Sequence, residues 1–472
     1  MQPPEPRDPD PSDVRTGAVG GAVPPVRSGR RWDVAVAVGC AVFVAVVGVA
    51  GTAIDRAEGT LYVDRPPLYA EWLPHAGPGT PLAVAAAVAV IVFGPRAAAR
   101  CPWRPLLWGA WGAAAAWTLS LALIDGWQRG IAGRLTQKHE YLLAVHRFDD
   151  IGAAVRSFTD HIVAFQPGQW PAHVAGHPPA AVLTFVGLDR IGLGGGAWAG
   201  MWCVLAGASA VPAVLVALRA LGAERWARRA APFLVLAPAA IWVGASADGY
   251  FAAVAAWGTA LLAVAAAPAR TPRLAAFAAG VLLGWALYLS YGLVLFGLLP
   301  LAVLACARTL RPLPYAALGV LAVAAAFTAA GFWWWEGYQL LVVRYYQGVG
   351  FDRPYAYWIW GNLANAAIAA GLASAAGLRR VMAAVPGTVR RLRRAPAGGP
   401  AVLVVLALAG LCAALLADLS GMSKAETERI WLPFVLWTLP AAALLPVRDH
   451  RAWLAVQAVA ALLINHLLLT GW

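Results

Sequence analysis

The sequence predicts an all-α integral membrane protein with about thirteen transmembrane helices and one large outer loop. Three observations carry this. Of 472 residues, 61% are hydrophobic and only 12% charged, where a soluble chain carries about 25% charged residues. Apolar runs of roughly 17 to 22 residues recur to the end of the chain, and about 20 residues cross a ~30 Å hydrocarbon core as a helix. The basic residues are also sorted by loop, in the alternating way a multi-pass topology requires.

The runs fall at 33–54, 80–95, 105–124, 197–218, 230–246, 249–268, 274–290, 292–307, 313–332, 357–375, 399–417, 430–446 and 453–470. The second is short enough to be re-entrant. With the amino terminus inside, the inner segments are 1–31, 96–104, 219–229, 269–273, 308–312, 376–398 and 447–452. They hold 24 of the 36 lysines and arginines. They hold only 7 of the 23 acids, counting Asp33 at the inner end of the first run. This asymmetry implies a cell-membrane protein with a cytoplasmic amino terminus. It also accounts for the net charge of +13 through membrane orientation, so no nucleic-acid partner is implied. The run "RRLRR" (390–394) reads as an anchor to anionic lipid.

Residues 1–31 are rich in Pro, Asp and Arg and lack periodicity, which predicts a disordered cytoplasmic tail. Residues 32–472 form the polytopic domain. Cys40, Cys101, Cys203, Cys306 and Cys412 have neither metal nor disulfide spacing and read as small packing residues.

The stretch "WPAHVAGHPPAAVLTFVGLDRIG" (170–192) breaks the pattern. Its apolar part is short and ends in Asp189-Arg190 and a glycine cluster. If it crossed the membrane, every later loop would change sides and 390–394 would lie outside. It is expected to be a helix at the outer interface. Proline at its start fits, since the first helical turn has no N–H partner to lose.

The outer segment 125–196 is long for a connection, and long connections are usually functional or disordered. It carries Asp125, Glu140, Asp149, Asp150, Asp160 and Asp189, with five of the eight histidines: His139, His146, His161, His173 and His177. Helical spacing of Ile151, Val155, Phe158 and Ile162 argues against disorder. His75 lies in the first outer loop. Three further outer stretches can meet this loop: "SADGY" (246–250) with Asp248, the aromatic-rich 333–360, and "DLSGMSKAETERIWLPF" (418–434) with Glu426, Glu428 and Arg429. Trp333, Trp334 and Trp335 read as interface-belt residues.

The segment from "GHPPAAVLTFVGLDRIGLGGG" (176–196) through "RALGAERWARR" (219–229) to "SADGY" (246–250) resembles the GT-C superfamily of membrane glycosyltransferases. The order is shared with protein O-mannosyltransferases and aminoarabinose transferases: an acidic motif in the first large outer loop, a His/Lys-Pro-Pro juxtamembrane helix, a glycine turn, a basic inner loop, a proline-containing span and an outer Asp. His177-Pro178-Pro179, Gly192 to Gly196, Pro238 and Asp248 stand at those places, and "ETERIWLPF" (426–434) resembles a late Arg-aromatic-Pro stretch. Integral membrane proteins of this superfamily from actinobacteria are the nearest in character. The match covers about 105–260 and 420–435. It departs from the family in one place. Many members carry adjacent Asp-Glu after the first span, whereas here two spans precede the loop and the nearest residues are Asp125-Gly126 and Glu140-Tyr141.

The resemblance implies an inverting transfer of a sugar from a polyprenyl phosphate to an envelope glycan, lipid or protein on the outer face, with membrane lipids around it. A carboxylate must take the acceptor proton, a general-base effect of about 10²–10⁴-fold; Asp125 and Glu140 are the candidates. Fixed donors must meet the phosphate, and His173, His177 and Arg429 are placed to do so, with Asp248 as a further functional acid. No cofactor is required. A divalent cation is the alternative, but His173 and His177 flank "VAG" ahead of prolines, which does not make a helical zinc face. The rival function is a lipid or solute transporter or flippase, which should show broken helices, midplane charges and repeated halves.

Overall fold

The computed structural model describes residues 29–267 and 272–471. The expected disordered tail falls almost wholly outside them, and Arg30 already belongs to the first helix. The architecture is all-α apart from one two-stranded sheet. The chain opens with α1 (Arg30–Glu58), β1 (Ala70–Trp72), α2 (Gly79–Arg100) and α3 (Trp103–Ala122). The long loop then folds as single turns around α4 (Ile151–Arg156), α5 (Ala172–Ala175) and α6 (Ala180–Arg190). The bundle continues with α7 (Gly196–Ala208), α8 (Ala210–Ala220), α9 (Glu224–Val235), α10 (Ala240–Val243), α11 (Ala247–Ala266), α12 (Pro272–Leu289), α13 (Leu298–Ala307) and α14 (Leu313–Ala329). It closes with α15 (Trp334–Tyr346), α16 (Tyr355–Ala370), α17 (Leu372–Arg394), α18 (Pro400–Leu419), α19 (Thr427–Ile430), α20 (Leu432–Val435), α21 (His450–Leu467) and β2 (Leu468–Thr470).

Seven helices among the described residues are long and apolar enough to cross a membrane, or nine if the pairs α14–α15 and α16–α17, bent by 74° and 103°, each count as one. Thirteen are not found. The expected run 230–246 stops at Val235 and resumes at α10. Pro238 in the gap lacks an N–H and its ring would clash with the preceding turn. The run 430–446 is broken into α19, α20 and a 3₁₀ turn, Leu439–Leu444, with Pro433 and Pro440 at the starts of the last two. The run 292–307 begins as a 3₁₀ turn, Tyr291–Gly297. The first two of these segments are almost wholly buried inside the bundle. An apolar run enclosed by protein and one facing lipid look alike in sequence, and irregular backbone survives at such depth only where protein surrounds it. The run 80–95, by contrast, belongs to a full 22-residue helix.

The two ends of the bundle differ in chemistry. One collects the basic connections. Asp33 on α1, 1% exposed, receives Arg380 at 2.6 Å and Arg379 at 2.8 Å from α17. Arg228 donates to the carbonyls of Ala98 and Cys101, and the Gly399 N–H bonds the Gly222 carbonyl. The other end collects the 59–78 connection, the long loop, the 347–354 and 420–427 loops and the carboxyl terminus. There β2 pairs antiparallel with β1, and Arg353 donates to the carbonyls of Leu61, Tyr62 and Lys424.

Between the ends, packing depends on small residues, because lipid supplies no hydrophobic drive between helices and close backbone approach must replace it. The α12–α14 pair shows this. A Cβ at Gly280 would collide with the Ala316 carbonyl, and one at Gly319 with the Phe277 carbonyl. Gly280→Leu is therefore expected to split this pair, with a lower thermal midpoint of the detergent-solubilised protein. Gly39→Ala, with open space around it, should leave the midpoint unchanged or raise it. Equal midpoints for Gly280→Leu and the parent would refute this packing.

Candidate functional site

Two side-chain clusters meet at the end opposite the basic connections. The first centres on Asp125, in the turn that closes α3. His75 Nε2 lies 2.7 Å from one carboxylate oxygen and Arg134 2.9–3.0 Å from its two partners, the other oxygen of Asp125 and the Thr470 carbonyl. His75 Nδ1 is 2.6 Å from the Leu73 carbonyl. Both ring nitrogens thus face oxygen atoms of the protein. Strand pairing makes this possible: the Leu73 and His75 N–H groups bond the Leu467 and His466 carbonyls. The carboxyl terminus therefore fixes the first outer loop against the long one. Both oxygens of Asp125 are engaged, one by His75 and the other by Arg134.

The second cluster centres on Arg429, in α19 and 6% exposed. It donates to Asp248 at 2.6 Å and Glu426 at 2.8 Å. Its other terminal contact is His173 Nε2 at 3.2 Å, and His173 Nδ1 lies 2.9 Å from Glu140. Since arginine can only donate, His173 accepts at Nε2 and donates at Nδ1 to the carboxylate, which fixes a neutral tautomer. Burial opposes the charge on Arg429, but Asp248, Glu426 and Glu140 outweigh it and raise the pKa of the guanidinium. The second oxygen of Glu140 is buried without a hydrogen-bond partner.

Local backbone aims these groups. Ser246 caps α11 by accepting from the Asp248 N–H, which sets Asp248 in the first helical turn. Ala425 and Glu426 both hold left-handed backbone, φ 72° and 62°, a conformation costing a non-glycine residue about 1–2 kcal/mol. Asn362, 0% exposed, holds that loop in place. It donates to Asp418 and the Ser423 carbonyl, and accepts from the Ala425 N–H. Strain of this kind concentrates at functional sites.

Space follows the same layout. A polar cavity of ≈ 400 Å³ is lined by Asp64, Glu71, Gln128, Arg129, Arg134 and Thr470, among others. A much tighter polar chamber lies beside it, lined by Glu140, Tyr141, His173, Ser246 and Arg429. Arg134 and Gly471 line both.

All six residues singled out in the sequence lie in this region. Asp125 is in the first cluster. Glu140, His173, Asp248 and Arg429 are in the second. His177 is adjacent but turned away. Its Nδ1 is spent on the His173 carbonyl at 2.7 Å, 3.1 Å from the Tyr141 hydroxyl, and its ring packs on Tyr141 and Phe251. Burial lowers its pKa to about 4, against the opposing charge of Asp248. The helix α6 that follows packs its apolar face on Tyr141–Phe148, α7 and α12, and leaves Gly187, Asp189 and Arg190 exposed. His173 and His177 diverge, and no group of three or more metal-ligating side chains occurs among the described residues. The tryptophan run also divides: Trp333 and Trp335 are exposed, while Trp334 donates to the Leu287 carbonyl.

Sequence reasoning missed Arg134 and the 468–471 wall. Neither carries a motif; strand pairing and the Asp125 contact alone reveal them. Glu428, 0% exposed, is also unexpected in its state. Burial and the neighbouring Glu426 raise its pKa to about 8, against Arg429 and the backbone amides of Glu428 and Tyr69. It is largely neutral at pH 7.

No family model matches the chain, and no curated protein matches it significantly. The superfamily resemblance therefore rests on the residues quoted above.

Two outcomes follow. Arg429→Gln strands Asp248 and Glu426 in a buried site, which costs about 3–5 kcal/mol when one partner of a buried pair is removed. The thermal midpoint should fall, and Arg429→Gln with Asp248→Asn should recover part of the loss; no recovery would contradict the pairing. For Glu428 the folded state holds a proton from pH 4.5 to about 8 that the unfolded state has released. Stability therefore declines with rising pH across that window. His177 acts oppositely, losing stability as pH falls from 6.5 towards 4, so pH 6.5–8 isolates Glu428. The midpoint should drop across that range in the parent and less so in Glu428→Gln. Parallel curves would refute a neutral Glu428.

Proposed function

We propose that this chain is a membrane glycosyltransferase that moves a sugar from a polyprenyl-phosphate donor to a cell-envelope acceptor on the outer face. The amino terminus is cytoplasmic in this reading, on the strength of the basic connections gathered at one end of the bundle. The observation that carries the activity is the free oxygen of Glu140. It is buried beside a polar chamber, next to a cavity lined by Arg129 and Arg134 together with Asp64 and Glu71.

The geometry separates the two carboxylates. Both oxygens of Asp125 are already engaged, one by His75 and one by the Arg134 guanidinium, which leaves neither open to an acceptor hydroxyl. Glu140 has one oxygen held by His173 and the other unengaged. In this reading the acceptor hydroxyl gives its proton to Glu140 as its oxygen attacks the anomeric carbon. The bond from that carbon to the phosphate oxygen breaks, and configuration inverts. Arg429 is already balanced by Asp248 and Glu426. It acts on the reaction by holding His173, and through it Glu140. The cations that face the open cavity are Arg129 and Arg134, so they take the leaving phosphate, a role assigned from the sequence to Arg429. Asp125 positions Arg134.

A second reading is a lipid or solute transporter. The proline-broken interior segments favour it, since transporters build sites from discontinuous helices. At the interior break the Ala239 N–H bonds the Ala369 carbonyl beside the bend at Gly371. No ionisable side chain is among these contacts, whereas charged groups gather at the end of the bundle.

In a deletion strain, the lipid fraction should accumulate a polyprenyl-phosphate sugar and the envelope polymer should be truncated. Complementation by Glu140→Gln should fail, with transfer reduced by about 10²–10⁴-fold at normal membrane levels. Asp125→Asn should fall less, mainly through weaker donor binding. Full transfer by Glu140→Gln would remove the base assignment. Flux of a lipid or solute through the purified protein, with no sugar transferred, would favour the transporter.

A further inference from the structure

The basic end of the bundle holds the largest cavity described, ≈ 820 Å³. Five arginines line it: Arg30, Arg31, Arg229, Arg380 and Arg448, with no carboxylate among its lining residues. Nearby acids balance only part of this charge. Asp33 is shared by Arg379 and Arg380, and Asp449 lies 3.9 Å from Arg30 and 4.0 Å from Arg448. Among the described residues, neither Arg31 nor Arg229 forms an ion pair. Arg229 instead stacks over Trp226 with its guanidinium carbon 4.9 Å from the ring centre, and the rest of the lining is mostly apolar.

A second space begins where this one ends. A groove of ≈ 520 Å³ runs between α1 and α21, and Arg30 lines both. Its α1 wall is one stripe, including Val34, Val38, Ala41, Val42 and Ala45, faced by Trp453 and Val456. The eleven helical rises from residue 34 to residue 45 extend ~16 Å at 1.5 Å each. The stripe is apolar throughout; Asp449 and Arg30 stand only at its mouth.

From this arrangement we infer that the basic end carries a binding site for one anionic phospholipid, its phosphate among Arg30, Arg31 and Arg229 and one hydrocarbon chain along the α1–α21 groove. Guanidinium groups that outnumber the nearby acids favour a phosphate, which they hold by charge-assisted forked hydrogen bonds. A basic pocket between helices that opens onto an apolar channel fits a lipid of this kind. A zwitterionic headgroup would bring its own cation into a basin already rich in arginine. The site is separate from the 390–394 run and does not depend on the reaction proposed for the other end.

The test uses the full chain in detergent, with native mass spectrometry after addition of dioleoyl phosphatidylglycerol or dioleoyl phosphatidylcholine. The parent should retain the phosphatidylglycerol at least about tenfold better. Arg31→Gln with Arg229→Gln should remove that preference, and since neither residue is in an ion pair the fold should persist at an unchanged midpoint. Ala41→Phe, which fills the groove and leaves the arginines intact, should weaken retention of phosphatidylglycerol. Glycerol 1-phosphate at the same concentration should not displace the lipid. Four results would overturn the proposal. These are equal retention of the two lipids, an unchanged preference in the double arginine variant, full displacement by glycerol 1-phosphate, or a preference lost only in Arg391→Gln with Arg393→Gln. Absence of any retained phosphatidylglycerol would also do so.

Discussion

A guanidinium withdrawn from water needs charge around it, and Arg429 obtains that charge from one residue distant in the chain and one three positions before it. Asp248 comes from the start of α11 and Glu426 from a loop held in left-handed backbone. With both in place, the remaining contact of the guanidinium turns His173 into a pure acceptor at Nε2, and Nδ1 then aims at Glu140. The position and state of Glu140 are thus consequences of one buried cation. Networks of this type are stable only when each member is satisfied, and here the one oxygen left over is on the carboxylate that faces the chamber.

The Asp125 cluster solves a different problem. It ties three chain segments that share no sequence proximity: the first outer loop through His75, the long loop through Arg134, and the carboxyl terminus through Thr470. Its Arg134 reaches the wall of the polar cavity, where Arg129 stands with Asp64 and Glu71. The other cluster supplies an acceptor for a proton. Side by side, the two clusters meet across Arg134, which lines both spaces. The opposite end of the bundle has neither arrangement. There, arginines outnumber acids around an apolar-lined basin, which suits binding a lipid and not chemistry on one.

How the interior is built explains why these ends hold their shape. Glycines and alanines allow backbones to touch, as at Gly280 and Gly319. The proline-broken segments are packed on all sides, so their freed backbone groups find partners in the protein. The Ala237 carbonyl, for example, lies 3.5 Å from the Trp117 indole nitrogen. Arg353 and Asn362 then fasten the loops that emerge at the site end.

Composition and charge sorting were enough to establish a helical, membrane-embedded chain and to separate basic connections from acidic ones, because both follow from the energetics of lipid and need no knowledge of packing. The same reading picked out Asp125, Glu140, His173, Asp248 and Arg429, since titratable groups are scarce in an apolar chain and so conspicuous. It read thirteen apolar runs where seven to nine helices among the described residues are long and apolar enough to span, because hydropathy registers apolar length and cannot tell lipid from protein as the neighbour of 230–246 or 430–446. It could not rank Asp125 against Glu140, nor see that His177 is spent on a backbone carbonyl. Those distinctions belong to tertiary structure. Which oxygen is left open depends on partners brought together from as much as 336 residues away, as Arg134 and Thr470 are, and on a strand pairing for which three residues at the carboxyl terminus give no local signal.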